Sequence, residues 1–121
     1  MTDIELFNKY KELNNIDSDY ASYDYDNLTL GLILDGKINS EVTLYDDYVV
    51  NKEPLPIKGD LAVLCDEDGN AKAITRIKEV NIIEFGKVKN KEDLKEYAKE
   101  NNITINSETL CVEEIFEIVF R

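Results

Sequence analysis

The run "LAVLCDEDGNAKAITRIKEVNIIEF", Leu61 to Phe85, constrains the fold more than any other stretch of the chain. Two apolar, β-branched segments, Leu61 to Asp66 and Ala71 to Phe85, flank Asp68-Gly69. An Asp-Gly pair between such segments is among the strongest short signals for a hairpin. "DEDGN", Asp66 to Asn70, superficially resembles a calcium loop, but its glycine stands fourth rather than sixth and strands rather than helices flank it. An antiparallel hairpin with a long second strand is therefore predicted, and the rest of the chain must supply its partners.

Two further segments read as strands. "EVTLYDDYVV", Glu41 to Val50, is rich in β-branched and aromatic residues and runs into the Pro- and Gly-containing loop "NKEPLPIKGD". "LCVEEIFEIVF" closes the chain with Val112, Glu114, Phe116, Ile118 and Phe120 on one face, and only Glu114 breaks its apolar character. Three segments read as helices. Thr2-x-x-Glu5 is a capping box, with Ile4, Phe7 and Leu13 at helical spacing from Asp3 to Leu13. A second helix from Asn27 to Asp35 ends at Gly36, where a left-handed residue is expected. Asn90 followed by Asp93 can cap a third helix, which runs to about Glu100 with Leu94, Tyr97 and Ala98 inward. Asn14 to Asp26, with Tyr20, Tyr23 and Tyr25, reads as a loop.

This order predicts one α+β domain over residues 1–121, with helices at the mouth of a β-barrel. Residues 1–26 form a helix and a Tyr/Asp-rich loop, and 27–120 form the core. Leu61, Val63, Ile74, Ile82, Phe116 and Ile118 are expected inside.

Composition narrows the function. Twenty-six acidic against fourteen basic side chains give a net charge of −12, a field that repels phosphate backbones and anionic membranes. Weak or absent non-specific nucleic-acid binding follows, whereas a nucleoside in a pocket does not depend on that field. No histidine is present, which excludes Ser-His-Asp and Cys-His catalysis and histidine-containing zinc sites. Cys65 and Cys111 lack CxxC spacing and read as reduced core thiols. No signal-peptide pattern opens the chain, and no apolar run reaches the roughly 18 residues of a membrane span, so a cytoplasmic location away from membranes is expected. The residues imply no cofactor and no metal.

One turn gathers several chemically useful groups. Gly36-Lys37 lacks the earlier glycine and the following Ser/Thr of a phosphate-cradling loop. A helix end, a lone lysine, and Asn39, Ser40, Glu41 and Thr43 nevertheless converge there. To act as a base, the lysine would need partial burial that lowers its pKa from about 10.4. Five tyrosines lie between Tyr20 and Tyr48, and such rings either stack on bases or cap apolar surface. A solvated lysine in a plain chain reversal is the alternative reading of the turn.

"ILDGKINSEVTLY", "PLPIKGDLAVLCDEDGNAKAITRIKEVNIIEF" and "ETLCVEEIFEIVF" together resemble the ASCH domain family, whose fold is a PUA-like β-barrel, over roughly Asn27 to Phe120. The family includes a bacterial N4-acetylcytidine amidohydrolase, and other members are thought to bind RNA. In that enzyme a Gly-x-Lys-Thr-x-Thr turn supplies a lysine and a hydroxyl nucleophile, and a later glutamate completes the triad. Aligned from Gly36, those positions hold Ile38, Asn39 and Glu41. With the turn one residue shorter, the resemblance implies catalytic roles for Lys37, Ser40 and Glu100, and substrate binding by Gly36, Asn39, Glu41 and Tyr45. Its implied ligand is a nucleoside or short RNA. Three functions stay open: nucleoside or RNA recognition, amide hydrolysis with an altered triad, and a non-catalytic protein-interaction domain.

Overall fold

The computed structural model describes all residues, Met1–Arg121. The elements in order are α1 (Asp3–Asn14), β1 (Ala21–Asp24), α2 (Asn27–Leu34), β2 (Ser40–Leu44), α3 (Tyr45–Val50), β3 (Leu61–Cys65), β4 (Ala71–Glu84), a 3-10 turn (Phe85–Lys87), α4 (Glu92–Glu100) and β5 (Leu110–Phe120). The strands form one mixed sheet with hydrogen-bonded order β1-β3-β4-β5-β2. The predicted hairpin is β3–β4, antiparallel, with Val63 opposite Ile74, and Gly69 takes the positive φ of 80° that its turn requires. No helix is long and apolar enough to cross a membrane.

Contacts divide the chain into two compact units. The first comprises Met1–Asn39, Ile57–Lys78 and Phe116–Arg121. Its α1 begins with the predicted capping box, in which the Thr2 hydroxyl accepts from the Glu5 N–H and the Glu5 carboxylate accepts from the Thr2 N–H. Leu6, Phe7 and Tyr10 from α1 are buried with Val63, Cys65 and Ile74 from the hairpin. A second cluster joins Leu30 and Ile33 of α2 to Leu64, with Ile38 and Phe116 packed against it. The second unit comprises Ser40–Pro56 and Glu79–Ile115. There Leu44, Phe85, Val88, Leu94 and Cys111 are buried together. Cys65 and Cys111 are buried free thiols, and burial pushes both thiol pKa values up.

Several expectations need correction. Tyr45–Val50 is a helix, not the continuation of a strand. Asp46 and Asp47 occupy its first turn, where carboxylates are favoured, and hydrogen bonds from the Tyr97 hydroxyl to Asp47 and between the Tyr48 and Thr43 hydroxyls supply the tertiary context that overrides strand propensity here. The Asn14 to Asp26 stretch contains β1, whose parallel partner β3 lies far along the sequence. Ile82 is 46% exposed because successive strand residues face opposite ways and the neighbouring Ile83 takes the core side. Leu61, Phe116 and Ile118 are half-buried rather than enclosed, while Val63 and Ile74 are fully buried as expected. Tyr97 is exposed, and its hydroxyl reaches outward to donate to Asp47 at 2.9 Å. The N-cap of α4 is Lys91 rather than Asn90, and Asp93 lies in the first turn.

Candidate functional site

The Gly36 turn belongs to the first unit and is a helix ending in full. The Gly36 N–H donates to the Ile33 carbonyl at 3.0 Å, and the Lys37 N–H donates to Leu32 at 2.9 Å. With Gly36 at φ 77°, this is a Schellman motif in which the glycine is the left-handed residue. The Ile38 N–H also donates to Leu32, at 3.2 Å, and the Asn39 carbonyl accepts from Phe116 at 2.9 Å. Three successive amides are thus committed to the end of α2, and none is left to hold an oxyanion. Gly36, Lys37 and Asn39 are exposed. Lys37 is therefore not the partly buried lysine that the altered triad calls for.

A β-carbon at Gly36 would meet nothing within 4 Å, so the cost of Gly36→Ala comes from the backbone alone. The variant is expected to lose about 1 kcal/mol in urea denaturation through the left-handed conformation.

The remaining predicted residues lie in the second unit. Ser40 and Glu41 open β2, Tyr45 begins α3, and Glu100 ends α4. Ser40, Glu41 and Glu100 are exposed, and Tyr45 is half-buried. Because β2 alternates, Ser40 shares a face with Val42 and Leu44, which pack into the core of this unit. Glu41 and Thr43 occupy the opposite face. Ser40 as nucleophile and Glu41 as a binding group therefore cannot line the same surface of the strand.

The face carrying Glu41 and Thr43 holds a concentration of acceptors that the sequence reading only partly identified. In the antiparallel β2–β5 register Glu41 stands directly opposite Glu114, and Thr43 opposite Val112. Directly opposed side chains are neighbours, with Cβ atoms about 5 Å apart, and like charges so placed repel. The Tyr48 hydroxyl, brought back by α3, lies 3.1 Å from the Thr43 hydroxyl. Glu113 faces the other way and accepts from the Asn81 amide at 3.0 Å. The single break in the apolar alternation of β5, Glu114, was the sequence signal for this face. Tyr48 belongs to the tyrosine cluster that the sequence shows, but its pairing with Thr43 depends on the unforeseen helix.

Burial pushes the Tyr48 pKa above that of a free tyrosine; the Thr43 hydrogen bond opposes this, and the charges of Glu114, Glu41 and Glu53 add to it. A raised tyrosine pKa contributes stability that is present below about pH 10 and is lost as pH rises through the folded value. Glu114→Gln removes one repelling charge, so ultraviolet titration should show Tyr48 ionising at lower pH than in the wild type. An unchanged or higher midpoint would place Glu114 out of electrostatic reach of Tyr48.

A family model described as the ASCH domain matches residues 18–96, which include the Gly36 turn and the β3–β4 hairpin. Among solved structures, an ASCH domain from Lactobacillus crispatus JV V101 is similar at 19% identity, with a TM-score of 0.83 and coverage of 98% of this chain and 94% of that one. A protein from Enterococcus faecalis V583 is similar at 17% identity, with a TM-score of 0.81 and coverage of 98% and 88%. At these identities the likeness speaks to fold, and it agrees with the α+β, PUA-like class expected from the sequence. No curated protein matches the chain.

Proposed function

We propose, since the chain belongs to the ASCH domain family, that it recognises a nucleoside through the hydrogen-bond donors of its base and does not hydrolyse it. The observation that carries this reading is the acceptor-rich face of the second unit, with Glu41 opposite Glu114 and the Thr43–Tyr48 hydroxyl pair beside them. Carboxylates accept from amino and ring N–H groups, and charge-assisted bonds of this kind are the strong ones. The same carboxylates, within a net charge of −12, repel phosphate. A nucleoside, or the terminal base of a short RNA, fits this chemistry better than a polynucleotide.

Amide hydrolysis with Lys37, Ser40 and Glu100 has less support. The lysine is exposed, the serine lies on the opposite strand face from Glu41, and the amides of the turn are already engaged.

Calorimetric titration separates these readings. Cytidine should bind more tightly than cytidine 5′-monophosphate, and random-sequence RNA should bind weakly at physiological salt. Incubation with N4-acetylcytidine should release no cytidine. Tighter binding of the monophosphate would sink the acceptor-face reading. Cytidine release that disappears in Ser40→Ala would establish the hydrolase in its place.

A further inference from the structure

Strand β1 ends the sheet on one side and has a single strand neighbour, β3. All four of its residues, Ala21 to Asp24, are exposed. The Tyr25 N–H donates to the Cys65 carbonyl at 3.0 Å just beyond the strand. In a parallel pair alternate residues bond the neighbour, so Tyr23 follows Tyr25 inward and Ser22 and Asp24 direct their N–H and C=O groups away from β3. The segment leading into the strand is held in place. Tyr20 stacks on Phe7 with ring centroids 4.2 Å apart, and its hydroxyl lies 3.4 Å from the Asp3 carboxylate. The edge is therefore fixed before any partner arrives, which lowers the ordering cost of pairing.

The charge along this edge is of one sign. Residues 17–26 carry Asp17, Asp19, Asp24 and Asp26 and no basic residue. Asp17 pairs with Lys11 at 3.5 Å, and Asp26 caps α2 by accepting from the Thr29 N–H and hydroxyl. Asp19 and Asp24 flank the edge. A second copy of the chain would bring the same acids against these, and like charges across a strand pair are destabilising. A segment rich in Lys or Arg meets the opposite sign. We propose that the outer edge of β1 docks an extended, basic polypeptide segment of another protein, which adds to the sheet beside β1 through main-chain hydrogen bonds.

A basic peptide would also drift toward any part of a chain of net charge −12, so the test must separate strand pairing from attraction alone. The probe is a fluorescent peptide alternating Lys and Val, read by anisotropy against the full chain. Controls are the same peptide with alternate backbone nitrogens methylated, which keeps the charge and removes main-chain donors, and a peptide alternating Glu and Val. The Lys-Val peptide should bind and slow hydrogen exchange at Ser22 and Asp24. Its methylated form should lose about tenfold or more in affinity, since each main-chain bond contributes measurably, and the Glu-Val peptide should not bind. Asp24→Lys should weaken the Lys-Val complex while leaving the circular dichroism spectrum intact. Equal affinity of the methylated peptide, or protection confined to residues outside β1, would overturn the proposal. Self-association of the wild type that protects Ser22 and Asp24 would overturn it in favour of a second copy as the occupant.

Discussion

Replacing Ile74 with alanine is expected to cost about 2–5 kcal/mol, a large part of the roughly 5–15 kcal/mol by which domains of this size are stable. Ile74 is fully buried among Leu6, Phe7, Tyr10, Val63 and Cys65, so the truncation removes apolar contacts from both α1 and β3 and leaves a cavity. Rigid strands on either side limit how far that cavity can collapse. Ile82→Ala is the informative companion. The same chemical change at a side chain 46% exposed should cost about 1 kcal/mol or less. Urea denaturation of both variants measures the difference. Equal losses would mean that the two isoleucines of β4 share one environment, contrary to the burial described above.

Glu114→Gln should weaken cytidine binding by about tenfold to a hundredfold, the equivalent of one charge-assisted hydrogen bond. Stability should move little. Glutamine keeps the size of Glu114 and its capacity for hydrogen bonds, at a half-buried position directly opposite Glu41, so the protein should stay within about 1 kcal/mol of the wild type. Loss of binding with stability retained distinguishes a ligand contact from a structural role. Glu96→Gln, which removes an exposed carboxylate on α4, controls for the change in net charge and should leave affinity within about twofold, as expected of a screened surface charge. A Glu114→Gln protein that binds cytidine as the wild type does would remove Glu114 from the site.

How much of this was legible in the sequence depended on how local each signal is. The β3–β4 hairpin, the Thr2–Glu5 capping box and the Gly36 helix end are each encoded within a few adjacent residues, and all three stand in the structure. The middle segment carried the family resemblance for the same reason. Strand β1 could not be read from "ASYD" because its identity as a strand comes from β3, about forty residues away. Helix α3 is hidden by Tyr and Val residues that suit a strand, and the hydrogen bonds that hold it reach Thr43 and Tyr97 outside the segment. The candidate site divides in the same way. Glu41 was reached through the turn, and Glu114 stood out as the one polar residue on an apolar face. Their pairing is a matter of strand register, which neither segment states alone. Lys37, Ser40 and Glu100 were joined by spacing borrowed from a resemblance. The turn itself turns out to be a complete helix cap.

Recognition by the Glu41–Glu114 face is tested most directly by a map of where a nucleoside touches the protein. Backbone chemical shifts of the isotopically labelled chain, followed as cytidine is added, report the contact residue by residue. The largest changes should fall on Glu41, Thr43, Tyr48 and Glu114 and saturate with a single affinity. Changes centred on Lys37 and Asn39, with the Glu41–Glu114 face undisturbed, would contradict recognition by that face.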